Sequence, residues 1–304
     1  METLDDIFDT EITQEIEADA IPEKKEFDKE AWIEKKKAER EAAYELRDIA
    51  TLEAVSEEGM FKTYLDVQSK FDHYSVGNAM MITNQMPLAS KLKDYDGWKN
   101  AGAYVRKSQT PIVIFEPGNE YLKPDGTIGT SYNVKKLFDA SQTNAYSKAQ
   151  QPKEQDARTL LVSLINSGHI KTQGVNELPG GQIGAMYDHE NNVVLVSRGM
   201  DSPDIFRNLT REIAHAKFAQ NDKAYSRDER ILDANAVSYI LCRKHGIGVN
   251  GFDFSDVSDI FFEMEPGGIR SEISRMNDMA CEMEKNLSRT LNAAKGEKSD
   301  MKER

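Results

Sequence analysis

Phe71-Asp72-His73-Tyr74-Ser75-Val76-Gly77-Asn78 joins two helical patterns and sets the reading of the first half of the chain. Downstream, Val76 to Met86 reads Val-Gly-Asn-Ala-Met-Met-Ile-Thr-Asn-Gln-Met, a helix that stops at Pro87 because proline disfavours the helical conformation in the residue before it. Upstream, Phe61, Tyr64, Leu65 and Val67 or Ser69 recur at a helical period towards Phe71. Further upstream, Asp28 is placed to cap a helix from Lys29 to about Val55, rich in Glu, Lys, Arg and Ala, with Trp32, Leu46, Ile49 and Leu52 as its apolar contacts. Beyond Pro87, a short helix near Tyr95–Gly102 sets Trp98 beside Lys99. A strand follows over Pro111–Phe115, ended by Pro117-Gly118, then a turn at Pro124-Asp125-Gly126 and a second strand over Ser131–Phe138.

Residues 144–157 are polar, contain Pro152 and lack an apolar period, which predicts a linker. After it come a helix over Arg158–Asn166 and a hairpin pairing Gln182–Tyr187 with Val193–Ser197. Ser202 reads as the cap, and Pro203 as the first residue, of a helix to about Gln220. Another covers roughly Asp228–His245. Ile269, Ile273, Met276, Ala280, Met283, Leu287 and Leu291 then mark one face of a final helix, expected to pack within its own domain. Helices and short strands in both halves predict an α+β class with two domains: a leader at 1–27, a first domain at 28–143, the linker, a second domain at 158–294 and a charged tail at 295–304. A length of 304 residues agrees with two domains.

The formal net charge is −13, and it is unevenly spread. Residues 1–30 hold 3 basic and 12 acidic side chains, and residues 31–60 hold 5 and 8, so the first 60 carry −12. Residues 61–150 hold 11 basic and 8 acidic side chains, a net of +3. The acidic leader has few aromatics and reads as disordered. No apolar run of about 18 residues marks a membrane span, and the N-terminus has no apolar segment of a secretory signal, so the expected location is the cytoplasm. Cys242 and Cys281 are too few for a disulfide framework, and Cys242 reads as a packed thiol. No phosphate-binding Gly-x-x-x-x-Gly-Lys loop and no Gly-x-Ser-x-Gly elbow occurs.

Between Lys70 and Lys107 the sequence interleaves rings, cations and amides: Tyr74, Asn78, Lys91, Lys93, Trp98, Lys99, Arg106 and Lys107 among them. Single-stranded nucleic acid is held by this combination, rings stacking on bases and cations tracking phosphates. A Tyr or Trp at helical spacing also fits a core. The ordered motifs Phe71–Asn78, Asp96-Gly97-Trp98, Val105-Arg106-Lys107, Pro111–Ile114 and Phe138-Asp139-Ala140-Ser141-Gln142-Thr143 resemble the N-terminal domain of ArdC-like antirestriction proteins, found also in LtrC-like proteins of conjugative elements. The resemblance covers about residues 50–145. It implies a protein of a mobile element that binds single-stranded DNA during conjugative transfer, with Tyr74, Asn78, Trp98, Arg106 and Lys107 on or near the DNA surface. Conjugation or replication proteins are the further partners it suggests.

The second half holds Thr210-Arg211-Glu212-Ile213-Ala214-His215-Ala216 and, after it, Asp233-Ala234-Asn235-Ala236. In a zincin, His-Glu-x-x-His on a helix supplies two zinc ligands one turn apart and a Glu that activates the bound water. The segment at about 158–262 is similar to the ImmA/IrrE-type metallopeptidase domain that ArdC-like proteins carry. The likeness puts Glu212 at the general-base position, His215 at the second ligand and Asp233 at the third. Arg211 occupies the first ligand position, and a guanidinium has no lone pair to give a metal. The sequence therefore predicts a zincin-like scaffold without catalytic zinc, in which Arg211 pairs with Asp233 or Glu212. A zinc-dependent metallopeptidase with Glu212 as base is the competing expectation.

Overall fold

The structure, a computed structural model, describes residues 28–144, 156–181 and 183–302. The leader 1–27 and residues 145–155 of the expected linker lie outside the described residues. Residues Lys29–Ala38 belong to one unit and Glu39–Arg304 to another.

Helix α1 covers Lys29–Ala54, and Asp28 caps it by accepting from the Ala31 N–H at 3.0 Å. Helix α2 covers Glu58–Lys70, and α3 covers Val76–Gln85 behind the cap Ser75. Then come β1 (Leu92–Lys93), α4 (Tyr95–Asn100), β2 (Ile112–Leu122) and β3 (Ile128–Asp139), followed by a 3-10 turn over Ala140–Gln142. These strands form an antiparallel sheet in the order β1-β3-β2. The second half continues with α5 (Ala157–Gly168), β4 (Lys171–Val175), β5 (Ala185–Asp188) and β6 (Val193–Ser197), and its sheet runs β4-β6-β5. Helices α6 (Ser202–Asn221), α7 (Ile231–Lys244), α8 (Val257–Ile260) and α9 (Pro266–Lys302) complete it. The class is α+β, with one small sheet in each half of the sequence.

Four details differ from the sequence reading. Strand β2 does not end at Pro117-Gly118: it runs to Leu122, with a register irregularity between Pro117 and Glu120. An edge strand tolerates proline because the missing N–H faces no neighbouring strand. The cap of α6 is Asp201, whose Oδ1 accepts from the Asp204 N–H at 2.8 Å, so Ser202 is already helical. Strand β4 is too polar to announce itself, yet it pairs in parallel with β6. Helix α9 continues through most of the expected tail.

Apolar burial ties the halves together. Phe61, Tyr64 and Leu65 of α2 and Val76, Ala79 and Met80 of α3 belong to the same core as Phe206, Leu209 and Ile213 of α6 and Val237 and Leu241 of α7. The stripe on α9, from Ile269 to Leu291, is buried in that core within the single chain, each such side chain contributing about 1.5–3 kcal/mol. Polar contacts repeat the connection: Asp66 of α2 accepts from the Tyr239 hydroxyl at 2.8 Å, and Asp72 pairs with Lys244 at 2.6 Å.

Candidate functional site

The motif amides of α3 serve the sheet beside it. Strand β2 is an edge, with unpaired backbone groups that need partners. Asn78 donates to the Phe115 carbonyl at 2.7 Å and accepts from the Phe115 N–H at 2.9 Å. Seven residues further along the helix and two back along the strand, Gln85 does the same for Val113, both bonds at 2.8 Å. The two side chains act as a missing strand, and Asn78 is buried.

The Phe138–Thr143 motif is a knot under a cationic corner. Asp139 accepts from the N–H groups of Ser90, Lys91 and Ser141 at 2.7, 2.9 and 2.9 Å. Burial pushes its carboxyl up, but these bonds outweigh burial and hold it below its ordinary value. The Trp98 indole donates to the Phe138 carbonyl at 2.8 Å and the ring is buried. Gln142 donates to the Thr110 carbonyl at 2.7 Å and accepts at its own carbonyl from the Arg106 N–H at 3.0 Å. The Arg106 guanidinium donates to the Ser141 carbonyl. Motif residues therefore fix β1, α4 and the 103–110 loop against one another.

On that knot sit the remaining predicted residues. Lys91, Lys99, Arg106 and Lys107 are exposed, and Lys93 lies half-buried with its Nζ 5.9 Å from the Trp98 ring centroid. None of these five cations makes an ion pair among the described residues. Tyr95 and Tyr104, which the sequence reading did not select as site residues, stand beside them 58% and 63% exposed. Tyr74 lies apart from this corner, lining a cavity with Arg47 and Arg270.

The second constellation is internal. Glu212 is fully buried on α6. Its Oε2 accepts from the Tyr187 N–H and from Arg227 Nη1, each at 2.8 Å, and its Oε1 accepts from Arg227 Nη2 at 2.9 Å and Arg211 Nε at 3.2 Å. A carboxylate offers about four lone-pair positions, and all are taken. Burial raises the Glu212 pKa, but the Arg227 bonds and charge outweigh it and leave the carboxyl below its usual value. His215 contacts the Tyr225 hydroxyl through Nδ1 at 3.0 Å, and burial, then the Arg227 cation, push its pKa down to about 4. Asp233 instead accepts from Arg230 Nη1 at 2.9 Å, and burial pushes its carboxyl up. Arg211 thus meets Glu212 and not Asp233. Arg227 is the member that sequence reasoning missed: it lies 15 residues beyond Glu212 in a connecting segment, where no spacing rule points to it.

No family model and no curated protein matches the sequence. Among solved structures, the metal-free crystal structure of the antirestriction protein ArdC from the R388 plasmid aligns over 71% of this chain and 86% of that one, at 15% identity and a TM-score of 0.51. The fold is ArdC-like. A Mn(II)-bound structure of the same ArdC protein aligns over 72% of this chain and 84% of that one, at 15% identity and a TM-score of 0.48. Three of the four residues that the sequence sets at zincin positions are unsuited to a metal in this fold. Arg211 offers no lone pair, Glu212 has none left, and Asp233 faces Arg230. Among the described residues no three His, Cys, Asp or Glu side chains converge to hold an ion. No helix among them is long and apolar enough to cross a membrane.

Proposed function

We propose that this chain is an antirestriction-type accessory protein of a mobile genetic element that binds single-stranded DNA without sequence preference. The corner at residues 91–107 is the binding surface, its lysines and arginine neutralising phosphates and Tyr95 and Tyr104 offering rings to bases. The first half is the DNA-binding domain, and the second is a zincin-like scaffold that carries no catalytic metal. One observation supports the reading above all: five cations within 17 residues have no carboxylate partner among the described residues, although carboxylates outnumber cations 52 to 39 in the chain. Cations left unpaired in an acidic protein are available to an external anion.

Fluorescence anisotropy with a labelled single-stranded oligonucleotide at two salt concentrations is the test. Binding should weaken steeply with salt, and replacing Lys91, Lys99 and Lys107 together with Ala should abolish it while leaving the melting temperature in place. Salt-independent binding, or unchanged affinity in that variant, rejects the surface. Elemental analysis addresses the second half, where one tightly held zinc per chain would reject the metal-free reading.

A further inference from the structure

A cavity of about 640 Å³ opens where α1, the start of α3, the β2–β3 hairpin and α9 meet. Its lining carries Arg47 and Arg270 together with Lys135, whose charge is answered by Glu116 at 2.7 Å and Asp94 at 3.5 Å. The two arginines converge on one glycine: a Cβ added to Gly77 would stand 3.3 Å from the Cδ of Arg47 and 3.3 Å from that of Arg270. Arg270 is held by Asp48 at 2.7 Å and by the Thr51 hydroxyl at 2.9 Å. Arg47 has no such anchor. Its Nε is buried without a hydrogen-bond partner, 3.6 Å from the same Asp48 oxygen. Its guanidinium rests on rings, 5.0 Å from the Tyr44 centroid and 5.7 Å from that of Phe115. Two guanidinium groups thus share one aspartate, and burial, then the Arg47 charge, push the Arg270 pKa down. Like charges held together without full compensation mark a place built for an anion.

Two further features name the anion. Val76 and Gly77, the first residues of the 10-residue α3, line the same cavity, and the opening turn of a helix presents N–H groups without intrahelical partners. Tyr74, Phe115 and Tyr132 supply ring surface in the same lining, with Phe115 beneath the Arg47 guanidinium. The volume lies in the range of sites for small ligands, about 300–1,000 Å³. Cations and aromatic faces lining one cavity match a phosphate joined to a base.

We infer that this cavity binds a nucleotide through its phosphoryl group, the phosphate lying between Arg47, Arg270 and the start of α3 and the base against Tyr74 and Tyr132. The inference does not rest on the DNA-binding reading, because none of the cations at residues 91–107 lines the cavity. A free mononucleotide and the 5′-phosphorylated end of a strand present the same chemistry.

Isothermal titration of the full chain with thymidine monophosphate, thymidine and inorganic phosphate tests it. The monophosphate should bind at least about tenfold more tightly than thymidine, since bonds from an arginine to an anion are the strong class. Arg47→Met, which keeps the stem over the rings and removes the charge, should weaken the monophosphate about tenfold or more at an unchanged melting temperature. Lys99→Ala and Lys107→Ala should leave that affinity unaltered. Absence of monophosphate binding, equal binding of thymidine, or full affinity in the Arg47 variant overturns the inference. A 5′-phosphorylated oligonucleotide compared with its 5′-hydroxyl form separates the sources. A preference lost in Arg47→Met assigns the site to strand ends, and monophosphate binding without that preference assigns it to free nucleotides.

Discussion

Arginine is used in opposite ways in the two halves of the molecule. Around Glu212, Arg227 and Arg211 together with the Tyr187 N–H close every acceptor position of a buried carboxylate, and the charge is consumed inside the fold. At residues 91–107 five cations have no carboxylate partner among the described residues, and at the cavity Arg47 and Arg270 share the one carboxylate of Asp48. A buried ion pair that is fully hydrogen-bonded is a structural element, because neither member is free to act on anything else. An unpaired cation adds little to folding and is available to an external anion. The −13 net charge conceals this contrast, since it sums an acidic leader with surfaces of the other sign.

The sharpest break of the comparison is at Arg227. Arg227→Met strands a carboxylate inside the core, and stability should fall by about 3–5 kcal/mol in urea unfolding. Adding Glu212→Gln should recover much of that loss, because the stranded charge is gone. A small effect of the single variant would mean that water reaches Glu212. The next effect belongs to Asn78. Asn78→Ala leaves both the N–H and the carbonyl of Phe115 without their partner, for a loss of about 2–4 kcal/mol. Single-stranded DNA affinity per folded molecule should not change, since the side chain is spent on β2. A selective loss of DNA binding at full stability would return Asn78 to the binding surface.

The same residue shows where sequence reasoning reaches its limit. Helical period located α2 and α9, cap and proline signals bounded α3 and α6, and the α9 stripe from Ile269 to Leu291 was legible because burial follows the 3.6-residue repeat directly. The motifs at Phe71–Asn78 and Phe138–Thr143 were also legible as motifs. Their roles were not, because an amide that caps an edge strand and an amide that reads a base look alike in one dimension. Asn78 is clamped to β2 and Trp98 is packed on β3, while the cations at residues 91–107 make no ion pair among the described residues. The partner of Glu212 was hidden for a related reason: Arg227 arrives by tertiary folding of an irregular segment. Arg47 and Arg270 are 223 residues apart, and only the packing of α1 and α9 brings them to Gly77.

Asp139 links the buried and exposed sides of the comparison, since a carboxylate beneath the surface positions the cations above it. Its folded pKa is depressed relative to the ordinary value of 3.8. The stabilisation it gives is therefore complete above that value and lost as pH falls through the lower, folded one. Asp139→Asn should cost about 1–3 kcal/mol at neutral pH, and the gap between the two proteins should narrow below pH 3.8. Urea unfolding at neutral pH and at pH 3 measures both. A gap that widens in acid would give the wrong sign and reassign the bonds from Ser90, Lys91 and Ser141.

The smallest effects come from single cations of the corner, and they separate ligand-directed charge from structural charge most cleanly. Lys99 is exposed, lies on α4 and has no ion pair among the described residues, so Lys99→Ala should change folding stability by no more than about 0.5 kcal/mol. If its ammonium meets a phosphate, the slope of log affinity against log salt should become shallower by about 0.7, the value for one contact on a single strand. Lys217 is the matched control, because it is paired with Glu282 at 2.7 Å and its charge is already answered within the fold. Lys217→Ala should leave the salt slope untouched. Equal slopes for the two variants would show that pairing within the fold does not decide which cations reach the DNA.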